Sequence, residues 1–198
     1  MKIEVENISK RFGRQAIIKQ FNYHFLPNEN YVITGANGSG KSTLLKMLSG
    51  FLSFDSGDIR YSKDNQPISR DNFNNFVAYA APYILIPEDL TIIEAIRFQR
   101  KFKTLSKSDA EILAALQLVA DKKITELSSG MKQRLHLGLA FFSETPVLLL
   151  DEPTSFFDKE WKKQFQDWVT AAQQKRTIIL CSNDEEEYAQ FAQRIRIT

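Results

Sequence analysis

The segment that constrains the chain most is Gly35-Ala36-Asn37-Gly38-Ser39-Gly40-Lys41-Ser42, lying between a β-type stretch at 31–34 and a helical stretch from Thr43 onward. The G-x-x-x-x-G-K-[ST] spacing in that context is a phosphate-binding loop. Its glycines let consecutive backbone N–H groups curl around phosphate oxygens without a Cβ in the way. The helix that follows aims its positive end at the same anion. Lys41 is expected to reach the β- and γ-phosphates of a nucleotide. Ser42 is expected to bind Mg²⁺, with Thr43 near the α-phosphate.

The other half of such a site needs carboxylates at the carboxyl edge of a parallel sheet. The run at 147–150 is uninterruptedly apolar, as suits a strand covered on both faces, and it ends in Asp151-Glu152. Asp151 is expected to orient the Mg²⁺ shell, and Glu152 to hold and polarise the attacking water. Two acids after a strand are weak on their own, because a helix start also favours acids. Beside the phosphate loop they become strong.

The rest of the chain agrees with an α/β domain. Short strands are predicted at 3–8, 16–25, 31–34, 76–80 and Thr177–Cys181, with a hairpin-like return at 56–61 and a terminal edge strand at 194–198. Helical periodicity runs through 89–120, from about 130 to 142, and through 161–172. The block at about 88–135 reads as a helical insertion within a single domain spanning 1–198. With 198 residues, 43% of them hydrophobic, and a net charge of +2, the chain can bury a core and has no basic excess, so no nucleic-acid partner is expected. Its apolar stretches fall short of the ~20 residues of a membrane helix. One cysteine, Cys181, forms no internal disulfide and suits a reducing compartment. The expected location is therefore cytoplasmic. His24 and His136 have no metal-site spacing around them and read as structural. Trp161, Phe165, Trp168 and Val169 read as core contacts, while Tyr83, Phe98 and Phe102 look exposed.

A third motif specifies the family. Leu127-Ser128-Ser129-Gly130-Met131-Lys132-Gln133-Arg134 opens a helix and resembles the signature motif of ATP-binding cassette (ABC) ATPases, usually Leu-Ser-Gly-Gly-Gln. Ser128 and Gly130 match; Ser129 and Met131 depart. Pro153-Thr154-Ser155-Phe156-Phe157-Asp158 resembles the family's D-loop, and Phe12 stands where the family places an aromatic that stacks on adenine. The likeness covers nearly the whole chain. It implies a P-loop NTPase core with an N-terminal antiparallel β subdomain and an inserted α-helical subdomain. It also implies ATP and Mg²⁺ as cofactors, and a homodimer or heterodimer of ATPase domains in which Ser128 and Gly130 cover the ATP held by the opposite subunit. The remaining implied partner is a separate transmembrane permease, which would hold this subunit at the inner face of the membrane.

Two positions depart from the family pattern. The stretch Tyr79-Ala80-Ala81-Pro82-Tyr83-Ile84 lacks the Gln that touches Mg²⁺ in many members, and Asn183 stands at the position of the switch histidine. The resemblance thus implies hydrolysis slowed by a shorter, neutral donor. A soluble ABC-type ATPase and a catalytically weak nucleotide-dependent switch stand as alternatives to a transport motor.

Overall fold

The computed structural model describes residues 1–82, 84 and 86–197. Strands β1 (Lys2–Phe12) and β2 (Gln15–Phe25) pair antiparallel, and β4 (Ser56–Lys63) with β5 (Gln66–Ile68) completes a sheet of order β2-β1-β4-β5. Alternation places Ile3, Val5 and Ile8 inward along β1. Asn7, at φ 50°, marks the register shift between Val5 and Ile8 that lets the strand run past the expected 3–8.

The second sheet is parallel. Its order is β6 (Val77–Ala80), β7 (Val147–Asp151), β8 (Thr177–Cys181), β3 (Asn30–Thr34) and β9 (Gln193–Arg196). Strands β7 and β8 are buried at every residue, which explains their unbroken apolar composition. β9 lies at the sheet edge beside β3; of the expected 194–198 strand, Thr198 lies outside the described residues. Phe76 closes a 3₁₀ turn rather than starting β6.

One face of this sheet, with Ile33, Leu149, Ile179 and Cys181, packs on helix α1 (Lys41–Leu48) and the antiparallel sheet. The opposite face, with Val32, Leu148, Leu150 and Leu180, packs on α5 (Ser129–Phe142) and α6 (Lys159–Ala172). A short helix α2 spans Arg70–Phe73. The helical stretch expected through 89–120 divides into α3 (Ile92–Arg100) and α4 (Asp109–Leu116). Each starts with a reciprocal capping box, Thr91 with Glu94 and Ser108 with Glu111. These helices close a third core with Leu135, Leu139 and Phe142 of α5. Helix α5 is therefore buried on two sides, Leu137, Ala140 and Phe141 facing the sheet and the other three facing α3 and α4.

Phe165 and Val169 are core residues of α6, Trp168 is half-buried between two cores, and Trp161 lies half-buried under the Arg134 guanidinium at 4.4 Å. Phe98 and Phe102 are exposed and touch each other edge to face; Tyr83 lies outside the described residues. Cys181 is fully buried, and burial pushes its thiol well up, away from nucleophilic use. A final helix, α7 (Glu185–Tyr188), follows β8.

His24 is exposed, whereas burial, with a smaller push from Lys132, lowers His136 to about 4. The unfolded chain keeps the ordinary histidine value of about 6.5. Between these values the unfolded state binds the extra proton, so His136 erodes stability as pH falls from about 6.5 to about 4 and has no effect above. The variant His136→Gln should show a shallower fall of Tm than the native chain across that window, with parallel curves at higher pH. Calorimetric scans at half-unit pH steps measure the difference.

Candidate nucleotide site

Pairing across the parallel sheet brings three sequence-distant strand ends together. Ile33 pairs with Cys181, and Cys181 pairs with Asp151. The loop after β3, the acids after β7 and the segment after β8 thus open onto one cleft of about 820 Å³. Phe12, Asn37, Gly38, Gly40, Lys41, Ser42, Thr43, Glu152 and Asn183 line it, with Pro82, Ser155 and Phe156 at its wall.

Gly40 turns the loop into α1 at φ 104°. A Cβ there would come within 2.8 Å of Ile17 and Ile18 side chains, so the turn requires glycine twice over. Gly35 and Ala36 present their carbonyls to Lys41 Nζ at 2.9 and 3.2 Å, and the Ser39 amide closes the turn onto Ala36. Among the described residues, Lys41 is a buried cation held by neutral oxygens, which leaves its charge free to meet an anion. Phe12 projects its ring into the cleft mouth, 52% exposed, as an adenine-stacking residue would require.

Next to Lys41 at the start of α1, Ser42 Oγ donates to the buried Asp151 Oδ1 at 2.9 Å. Asp151 Oδ2 is buried and has no hydrogen-bond partner among the described residues. The Tyr79 hydroxyl faces the same carboxylate without the alignment of a hydrogen bond. Burial pushes the Asp151 carboxyl up, opposed by the Ser42 hydrogen bond and by Lys46 and Lys41.

Glu152 adopts φ 45°, a left-handed conformation that costs a residue with a Cβ about 1 kcal/mol or more. Its N–H donates to the Cys181 carbonyl at 2.9 Å, which turns the side chain out of the sheet toward the cleft. Burial, and then the neighbouring Glu187 carboxylate, push the Glu152 carboxyl up.

Asn183 is exposed at the rim. With its amide nitrogen toward the Gly35 carbonyl at 2.8 Å, its oxygen accepts from Lys41 Nζ at 3.2 Å and lies 2.9 Å from the Asn37 side chain. It therefore already touches the phosphate loop. The cleft gathers Phe12, the phosphate loop, Glu152 and Asn183 from the sequence expectations, with Asp151 behind Ser42, whereas Tyr79 was not among them although its polar end in an apolar strand is a signal.

Ser128 and Gly130 stand outside the cleft lining. Ser128 caps α5, its Oγ accepting from the Met131 N–H at 3.3 Å, and remains exposed. Of the two helix starts, that of α1 faces the cleft and that of α5 does not.

A strand–loop–helix phosphate site on a parallel sheet defines the nucleotide-binding class of this protein. The sequence model of the ABC transporter family matches residues 18–155, and the chain belongs to that family. It is 34% identical over 206 residues to the spermidine/putrescine import ATP-binding protein PotA of Aggregatibacter actinomycetemcomitans, covering 98% of this chain and 54% of that protein. It is 29% identical over 208 residues to the sulfate/thiosulfate import ATP-binding protein of Cucumis sativus, covering 98% of this chain and 59% of the relative. The chain spans little more than half the length of these two relatives. Among solved structures, an ATP-binding cassette dimer in a post-hydrolysis state with ADP and Pi superposes with a TM-score of 0.85 at 20% identity, over 99% of this chain and 94% of the other. A putative ABC transporter ATP-binding protein from Pyrococcus furiosus gives 0.80 at 22%, over 100% and 98%. Both share the fold.

Replacing Lys41 with alanine should weaken ATP binding about 10- to 100-fold, the worth of one charge-assisted phosphate contact of roughly 1.5–3 kcal/mol. Isothermal titration of the two proteins reads this directly, and unchanged affinity would remove Lys41 from the site.

Proposed function

We propose that this chain is an ATP-binding and ATP-hydrolysing subunit that powers transport through a separate membrane subunit, by ATP-driven head-to-tail dimerisation. The observation that carries the reading is the division of anion-binding elements. The phosphate loop, Glu152 and Asn183 converge on one cleft with Asp151 buried behind Ser42, while Ser128 and Gly130 stand apart from it. A second copy, or a different cassette, turned head to tail would bring its Ser128 and Gly130 over this ATP. The nucleotide then becomes part of the interface, and its hydrolysis releases the dimer.

Within the cleft, loop amides and Lys41 hold the β,γ-phosphates, and Phe12 stacks on adenine. Glu152 orients a water for in-line attack and takes its proton. Asn183 offers its amide to the γ-phosphate in place of a longer, ionisable imidazole. The donor set fits Mg²⁺: Ser42 supplies a hydroxyl, and Asp151 supplies a carboxylate whose second oxygen is buried and unpartnered. When bound, the ion neutralises charge on the phosphates.

The two named relatives import chemically opposite cargoes by title, polyamines and sulfate or thiosulfate, yet each matches 98% of this chain. The cassette therefore supplies the stroke, and cargo choice lies with the membrane partner. Among the described residues no helix is long and apolar enough to cross a membrane. A peripheral position at the cytoplasmic face, held by the permease, follows from the same reading.

Glu152→Gln should cut kcat by about 10²–10⁴, the usual worth of a general base. It should also trap a dimer seen by sedimentation only with ATP and Mg²⁺, and adding Ser128→Arg should abolish that dimer. A trapped variant that stays monomeric, alone and with its native cassette partner, refutes the head-to-tail scheme.

Asn183→His should raise kcat several-fold at saturating MgATP, since imidazole reaches further and can carry charge toward the γ-phosphate. Steady-state phosphate release from the wild type and the variant decides it. An unchanged kcat with intact binding shows that Asn183 is already a competent donor or is not the switch.

A further inference from the structure

Gln133 lies in the first half of α5, between Lys132 and Arg134, and unlike those two half-buried neighbours it is only 6% exposed. Its side chain does not point into the nucleotide cleft. It reaches from α5 to the turn that follows β7 and makes three hydrogen bonds there. Nε2 donates to the Glu152 carbonyl at 3.1 Å and to the Pro153 carbonyl at 2.6 Å, and Oε1 accepts from the Phe156 N–H at 3.1 Å. All of its strong hydrogen-bonding capacity in that direction is spent on backbone groups of one turn.

That turn is the one holding Glu152 at φ 45°. A left-handed residue with a Cβ persists only where its surroundings over-determine it. Gln133 fixes the peptide on the carboxyl side of Glu152, while the Cys181 carbonyl fixes its N–H. The same helix approaches the turn at Gly130, where a Cβ would lie 3.1 Å from the Phe156 carbonyl. From the far side, the buried Glu187 carboxylate accepts from the Thr154 N–H at 3.2 Å and from its hydroxyl. The turn is therefore clamped between α5 and α7 rather than free to relax.

We propose that Gln133 is a positioning residue for Glu152, locking the left-handed turn to the helix that begins with Ser128 and Gly130. This rests on the reading of Glu152 as the group that polarises water. It deepens that reading: a shift of α5 on engaging a neighbouring cassette is transmitted through one amide to the carboxylate. Only a side chain of this length carrying both a donor and an acceptor bridges these three groups. Glutamate lacks the donor, asparagine lacks the reach, and methionine leaves the Pro153 carbonyl and Phe156 N–H unpartnered.

The test uses Gln133→Met and Gln133→Asn, each alone and combined with Glu152→Gln, in the full chain. ATP affinity by titration calorimetry and KM should stay within about twofold of wild type, because Gln133 does not line the cleft. The kcat of each single variant should fall by roughly tenfold or more, since loss of alignment at a base forfeits much of its 10²–10⁴. In the Glu152→Gln background, the same changes should leave the residual rate unaltered, the non-additivity expected of residues acting through one group. A kcat within twofold of wild type, or an equal fall in both backgrounds, overturns the proposal. So does a parallel loss of ATP affinity. If Gln133→Met is not recovered folded, Gln133→Asn, which keeps a buried amide, decides alone. A Glu152→Gln variant that hydrolyses at the wild-type rate instead refutes the role of Glu152 itself, whatever Gln133 does.

Discussion

The hydrogen bond from Ser42 to Asp151 spans the two halves of the site, and the rest of the cleft is arranged around it. It forms because β3, β8 and β7 pair in parallel with matched ends, so that the loop leaving β3 and the acid ending β7 stand side by side. The cost is a carboxylate in a buried position, its charge offset by one hydroxyl and by Lys41 and Lys46. A sheet shifted by one residue would turn Asp151 to the opposite face, where Leu148 and Leu150 pack on α5 and α6. Apolar burial on both faces therefore fixes the chemistry of the edge as firmly as it fixes the core.

Next to that buried acid sits a second one with a different orientation. Asp151 continues the strand, in register with Cys181, whereas Glu152 leaves it at a left-handed angle. One residue of chain thus separates a carboxylate aimed at Ser42 from a carboxylate aimed at the cleft. Backbone geometry alone achieves the division, and it needs support from Cys181, Ser155 and Gln133 at the same turn. The structure spends polar contacts where the backbone is least comfortable.

Much of this was legible in the sequence because its signals are local. The phosphate loop carries glycines and a lysine at fixed spacing, and a strand buried on two faces must be apolar throughout, so β7 and β8 stand out. Capping boxes mark α3 and α4 in the letters themselves, yet periodicity alone merged the two helices, because apolar residues continue across the 101–108 connection. The clamp on Glu152 was hidden for a different reason. Gln133 read as part of a signature motif, and nothing at 133 says that its amide meets carbonyls nineteen and twenty positions ahead. Tyr79 was hidden likewise, since the facing of its hydroxyl toward Asp151 is a product of sheet order. Long-range polar pairing follows from topology, and only the apolar pattern announces topology in advance.

The two departures from the family pattern gain meaning from this geometry. Ala81 and Pro82 supply no side-chain amide beside the Asp151 edge, and Asn183 is too short to act at a distance. What Asn183 loses in reach it recovers in anchoring, because its amide is already tied to Gly35 and Lys41. A donor held against the phosphate loop moves with that loop and adds little independent sensing of the segment after β8. In the proposed head-to-tail dimer, information about the neighbouring cassette then has to arrive by another path. Helix α5 supplies one, since it is packed into two cores, begins with Ser128 and Gly130, and holds the Glu152 turn through Gln133. In the proposed dimer, α5, packed into two cores and tied by three hydrogen bonds, connects the end that carries Ser128 and Gly130 to the Glu152 carboxylate.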